Sequence, residues 1–383
     1  MRRAILATFG VAALAVPMAA ARAQWNDDAQ KCAETTNAPD LAIHHCTKAI
    51  NSGQLSNENL TITLFNRGVS WEIKRDYDKA LEDYNAANRV NPAYVRAYRG
   101  RCSVYLAKRE YDRALTDCNE AIRLDPNDAN AFLNRANVYF NTKDYDRALP
   151  DFDAAIRLRP DYAVAHRDRA DIWYVKGEYD RAIQGFDEAI RLDPKDATAF
   201  YWRGDAWFFK SAFERAIADY DASIAVNPNN ASVYEIRGLT RLFLGQSPAA
   251  AADFAKSLEL GASAWRAALL YLARAGMGRG GPVEAKAELE RNAAKLTDTR
   301  WPHPIVLFHL GSQNEAALLA AADVDPDQRA SRRCAAQYHI GKRMLIAGNK
   351  TGARAAFLAA QESCPNGNSY RPGLAAELAR LVK

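Results

Sequence analysis

The side chains in this 383-residue chain that could carry chemistry are few in kind and regular in spacing. Six arginines, Arg67, Arg101, Arg135, Arg169, Arg203 and Arg237, recur at one constant interval. Sixteen residues after each stands an acid, Asp83, Asp117, Asp151, Asp219 or Asp253, except after Arg169, where Gly185 stands instead. Six cysteines occur with no CxxC among them. His44-His45-Cys46 sets neighbouring side chains on diverging sides of a helix, which does not make a metal site. HExxH, GxSxG and Walker A spacings are absent. Gly348-Asn349-Lys350-Thr351-Gly352 has the composition of a phosphate loop but falls in a helical turn, and Gly278-Arg279-Gly280-Gly281 follows no strand. The six histidines are scattered, so neither catalysis, a cofactor nor a metal is expected.

The elements that carry these side chains follow the same period. Pro92, Pro126, Pro160, Pro194 and Pro228 keep the interval of the arginines. With each proline set at position 32 of a repeating unit, position 20 is always alanine, from Ala80 to Ala250. Position 24 reads Tyr84, Cys118, Phe152, Phe186, Tyr220 and Phe254; position 8 is small, from Gly68 to Gly238. Small residues let two antiparallel helices approach, aromatics fill the space around them, and proline ends the second helix. One hairpin cannot cover its own apolar face, so neighbours must stack. The pattern resembles the tetratricopeptide repeat (TPR) family, which implies an all-α, right-handed solenoid of helical hairpins. The family's usual leucine at position 7 is replaced here by the arginine column. Six units are expected over 61–262, with an N-terminal helical cap at 24–60. A helical connector at 263–333, a C-terminal TPR-like unit at 334–365 and a capping helix at 366–383 follow.

In hairpins of this type, positions summing to about 30–34 face each other. Cys32–Cys46, Cys102–Cys118 and Cys334–Cys364 all satisfy that rule, so three intra-hairpin disulfides are expected. Position 7 likewise faces position 23, which makes the arginines and aspartates a structural ladder. Arg169, opposite Gly185, is the one expected to be available to a ligand.

The resemblance also implies a binding groove lined by positions 2, 5, 6, 9, 12 and 13 of the first helices. That selects Arg96 and Arg99, then Asn130, Asn134, Asn137 and Asn141, then Arg167 and Tyr174, and finally Tyr201, Trp202 and Asp205. Asparagine amides both donate and accept, so they suit the backbone of an extended peptide. The aromatics supply anchor pockets. An alternative reading is a small-ligand or glycan receptor built on the Tyr201–Phe209 aromatics beside Asp205.

Arg2 and Arg3, the apolar run from Ala4 to Ala20, and Ala21-Arg22-Ala23 form a secretory signal peptide over residues 1–23. Its loss lowers 51 basic residues by three to 48, against 46 acidic ones. So small an excess excludes nucleic acid as a charge-driven partner. The mature chain is expected to be exported to the periplasm or secreted, with no integral membrane segment. Trp301, Ile305–Gly311 and Tyr338–Gly341 are similar in order to the C-terminal half of NlpI-type envelope adaptors. That resemblance implies a protein partner such as an envelope protease or a cell-wall hydrolase.

Overall fold

The computed structural model describes residues 27–35, 37–277 and 281–382. The expected signal peptide at 1–23 lies outside the described residues, as do Trp25 and the turn at 278–280. Among the described residues there are helices and no strands. Contacts divide the chain after Pro160 into two compact units.

The first unit holds α1 (Asp27–Glu34), α2 (Pro39–Asn51), α3 (Asn57–Ile73) and α4 (Tyr77–Val90). It continues with α5 (Val95–Ala107), α6 (Tyr111–Leu124), α7 (Ala129–Asn141) and α8 (Tyr145–Leu158). The second unit opens with α9 (Ala163–Val175), α10 (Tyr179–Leu192), α11 (Ala197–Phe209) and α12 (Phe213–Val226). Then come α13 (Ala231–Phe243), α14 (Ser247–Leu260), α15 (Ala264–Ala275), α16 (Gly281–Ala293), α17 (His303–Leu310) and α18 (Glu315–Ala322). It ends with α19 (Arg329–Ile346), α20 (Lys350–Ser363) and α21 (Arg371–Val382).

The period of the sequence is the hairpin. Asp side chains cap helix starts by accepting from free backbone N–H groups, Asp128 from Asn130 at 2.9 Å and Asp144 from Arg147 at 3.2 Å. Each turn inside a hairpin needs one residue at positive φ, and it falls at the same place in every repeat. These are Arg75, Arg109 and Lys143 in the first unit (φ 60, 60 and 62°) and Gly177, Ser211 and Gly245 in the second (φ 78, 58 and 78°). Four of the six carry a side chain there, at a cost of about 1–2 kcal/mol each. Packing within the hairpins offsets it. A Cβ on Gly68 would sit 2.6 Å from the Tyr84 ring, and one on Gly204 2.8 Å from Tyr220. The small residue at position 8 is therefore what lets the position-24 aromatic lie flat between the helices.

The arginine column is architectural. Arg67 holds Asp83 through two parallel bonds of 2.8 and 2.6 Å, and Arg135 holds Asp151 at 2.7 Å twice. Arg101–Asp117, Arg203–Asp219 and Arg237–Asp253 repeat the arrangement. A further N–H reaches back to the preceding hairpin, as from Arg135 to Asn119 at 2.7 Å and from Arg203 to Asp187 at 2.6 Å. Each of these arginines thus closes its own hairpin and ties it to the one before. Gly185 leaves space for Ala170 instead; a Cβ there would lie 2.7 Å from it. Arg169 is nevertheless engaged, which corrects the expectation that it is the spare cation.

In the structure Cys32–Cys46 joins α1 to α2, Cys102–Cys118 joins α5 to α6, and Cys334–Cys364 joins α19 to the end of α20. Loop closure of this size is worth about 3 kcal/mol per bridge. Residues 263–333 hold more helix than their patterning suggests. α17 buries Ile305, Val306, Phe308 and His309 on several sides, so it shows no one-sided periodicity. α21 lies across α13: Gly373 approaches the Phe243 ring so closely that a Cβ would meet it at 2.3 Å. Glu377, 1% exposed, is held there by Lys342 at 3.0 Å and Arg380 at 3.3 Å.

Candidate functional site

In the first unit the residues expected to line a groove sit on α5 and α7, and several are committed to the fold. Arg99 Nη1 donates to Asp128 Oδ2 at 2.8 Å, clamping the N-terminus of α7. The Arg96 guanidinium lies 4.6 Å from the Phe65 ring centroid. Asn134 donates to the Arg99 carbonyl at 3.4 Å, and Asn141 to the Asn137 carbonyl at 2.8 Å. Asn130 and Asn137 have further contacts of their own. Asn134 and Asn141 therefore share their amides with the backbone of their own unit.

In the second unit α9 and α11 bring together a denser group. Tyr174 and Trp202 meet at 5.1 Å between centroids, Tyr201 and Trp202 at 4.8 Å, and Tyr174 and Phe209 at 6.1 Å. Tyr179 stacks on Phe209 at 5.5 Å. Tyr174 and Phe209 also line a cleft of ≈ 660 Å³. Its opposite wall is Asn366, Gly367, Arg371, Pro372 and Ala375, a segment that sequence patterning could not have placed there.

The polar groups around these rings are unequal. Arg167 repeats the pairing of Arg99: it donates to Asp196, the cap of α11, at 2.8 Å and also to Asp168 at 2.8 Å. Asp205 was expected to face a ligand, and the structure corrects this. It is 7% exposed and accepts from Tyr220 at 2.7 Å and from Tyr174 at 3.1 Å. Burial pushes its carboxyl up to about 6, opposed by those two hydroxyls. Asp205 supports the aromatic cluster from beneath instead of touching its surface. Asp171, three residues before Tyr174 and so on the same face of α9, is different. Its Oδ1 is shut off from solvent and has no hydrogen-bond partner among the described residues. Burial, with Asp168 nearby, pushes this carboxyl up to about 8; Arg167 pulls the other way.

A model of the tetratricopeptide repeat matches residues 133–197 and 176–231, and a second TPR model matches 102–143. Residues 102–231 carry tetratricopeptide repeats. No curated protein matches it at a significant level. Among solved structures, a TPR protein from Parabacteroides merdae is 23% identical, over 65% of this chain and 99% of that one, with a TM-score of 0.49. A pilF structure from Pseudomonas aeruginosa is 15% identical over 54% and 93%, with a TM-score of 0.50. A TPR protein from Thermus thermophilus is 19% identical over 48% and 99%, with a TM-score of 0.42. At such identities the pilF likeness shows the fold alone. The NlpI-type likeness of the C-terminal half is not shown by these comparisons.

Within the TPR framework the sixth unit has its groove positions covered by its own chain. Leu239, Leu242 and Phe243 of α13 are buried at 3, 2 and 1% exposure. Tyr338, Gly373 and the hydrogen bond donated by the Arg380 guanidinium to the Phe243 carbonyl close over them. Beside this, His309, His339 and Tyr370 form a buried hydrogen-bonded chain with steps of 2.8 and 2.9 Å. Burial holds His339 down to about 3, so the chain is neutral and structural. The face of α9 and α11 is what remains open next to α21.

Proposed function

We propose that this protein is a non-enzymatic adaptor of the bacterial cell envelope that binds a protein or an extended peptide on its TPR groove face. The TPR fold is a protein–protein interaction scaffold, and that much follows from the family. The observation that carries the finer reading is the Tyr174–Tyr201–Trp202–Phe209 cluster, of which Tyr174 and Phe209 line a cleft of ≈ 660 Å³. Aromatic anchors in a partly closed cleft are what dominates the energy of peptide interfaces. Export is supported by the basic, apolar and Ala-x-Ala sequence at 1–23. Three disulfides suit an oxidising compartment. No described helix is long and apolar enough to cross a membrane. The NlpI-type order of residues 301–341 supports an envelope protease or a cell-wall hydrolase as the partner.

The size of the cleft also fits a small ligand, which favours the receptor reading as the second one. Crosslinked co-purification from the native envelope, comparing the wild type with Trp202→Ala and Asn134→Ala, separates the two. A protein recovered with the wild type and reduced severalfold with Trp202→Ala supports the adaptor. Equal recovery with all three forms would count against this face. Recovery of no protein at all would move the reading to the small ligand.

A further inference from the structure

Resting on the groove reading above, we infer that Asp171 and the surrounding aromatic rings form a pocket for a cationic side chain, lysine or arginine, of the bound peptide. The local charge ledger points there. Three aspartates, Asp168, Asp171 and Asp196, lie near the guanidinium of Arg167, and a fourth, Asp205, meets Tyr174 from α11. That guanidinium is taken by Asp168 and Asp196. Asp205 is met by the hydroxyls of Tyr174 and Tyr220. Asp171 differs from all three: its Oδ1 is buried and unpartnered among the described residues. A buried acceptor without a donor is costly, and sites that keep one have a use for it.

The rings supply the second half of the argument. Phe209, Tyr174, Trp202 and Tyr201 form a chain of ring contacts with centroid steps of 6.1, 5.1 and 4.8 Å. Aromatic faces attract cations, most strongly when solvent is excluded. An ammonium or guanidinium entering from the cleft meets Tyr174 and Phe209, which line it, with the unpartnered oxygen of Asp171 one helical turn from Tyr174. The cleft wall carries two cations of its own, so attraction for an arriving cation comes from Asp171 and the rings and not from the wall. Lys176 lies 5.8 Å from the Trp173 ring centroid, and Arg371 donates to the Cys364 carbonyl at 2.5 Å. Burial holds the proton on Asp171 up to about pH 8, with Asp168 and Asp196 adding to it and Arg167 opposing. An arriving cation displaces that proton and supplies the missing counter-charge. A neutral residue at the same place would leave the carboxyl as it is, so the pocket discriminates by charge.

The full-length protein on an array of immobilised peptides of varied sequence tests this. The bound peptides should be enriched in lysine or arginine. In solution, replacing that residue by glutamine in a bound peptide should lower affinity about tenfold. The same replacement should have almost no effect against Asp171→Asn. Trp202→Leu, which keeps an apolar side chain, should also lose the cationic preference. A preference that survives Asp171→Asn, or bound peptides with no cationic bias, would overturn the pocket and leave the groove reading standing. Failure of every peptide to bind would overturn both.

Discussion

Asp171 and Asp205 occupy equivalent positions of adjacent repeats yet meet different fates, because only Asp205 has hydroxyl donors. Tyr220 and Tyr174 both reach it, so its burial is compensated. The hydrogen-bond acceptor on Asp171 is left open. This has a consequence for stability. The folded pKa of Asp171, about 8, lies above the model-peptide value of 3.8. Between those values the folded state holds a proton that the unfolded chain has released, so stability falls as pH rises through the window. The slope for one proton is at most about 1.4 kcal/mol per pH unit. Asp171→Asn should therefore match the wild type in denaturant unfolding near pH 4 and exceed it increasingly from pH 5 to 8. Identical pH profiles would show that the carboxyl is compensated in some other way. A groove residue whose removal stabilises the fold is the expected signature of a binding group.

At the scale of the element, the hairpins were readable because they repeat the same packing constraints. Small residues at 8 and 20 recur in all six units, an aromatic at 24 in all but the second, where Cys118 stands, and proline at 32 in the first five. The ladder was readable for the same reason, since Arg67 and Asp83 recur together through Arg237 and Asp253. Two elements were not. α17 is apolar on all sides, so no one-sided stripe marks it, and α21 docks on a helix far earlier in the chain. Its contact to α13 depends on Gly373 meeting the Phe243 ring, with no room for a Cβ at 2.3 Å. Gly373→Ala should loosen α21 from α13 without unfolding the repeats. Hydrogen–deuterium exchange should show faster exchange over residues 371–382 and unchanged protection in α9–α12. Unchanged exchange in 371–382 would mean that the ring moves aside at no cost. The same docking explains why Asn366–Ala375 as a cleft wall could not be foreseen from local pattern.

At the scale of the whole molecule, each of the two units stacks its hairpins, and the recurring arginines serve that stacking. Arg67, Arg101, Arg135, Arg203 and Arg237 hold register, and Arg99 and Arg167 hold the next helix cap. This is why choosing groove residues by position alone over-selected arginines and Asp205, while Tyr174, Tyr201 and Trp202 do come together. Solenoids carry function on surfaces the stacking leaves unfilled, and the one proposed here is the α9–α11 face beside α21. Site-specific photocrosslinking in the native envelope tests the proposal most directly. A benzophenone side chain would be placed at Tyr201, with exposed Gln184 on α10 as the control site. Crosslinking of a discrete protein from position 201, absent from position 184, is the predicted result. A protein captured equally from both positions, or only from 184, would contradict the claim that this face is where the adaptor holds its partner.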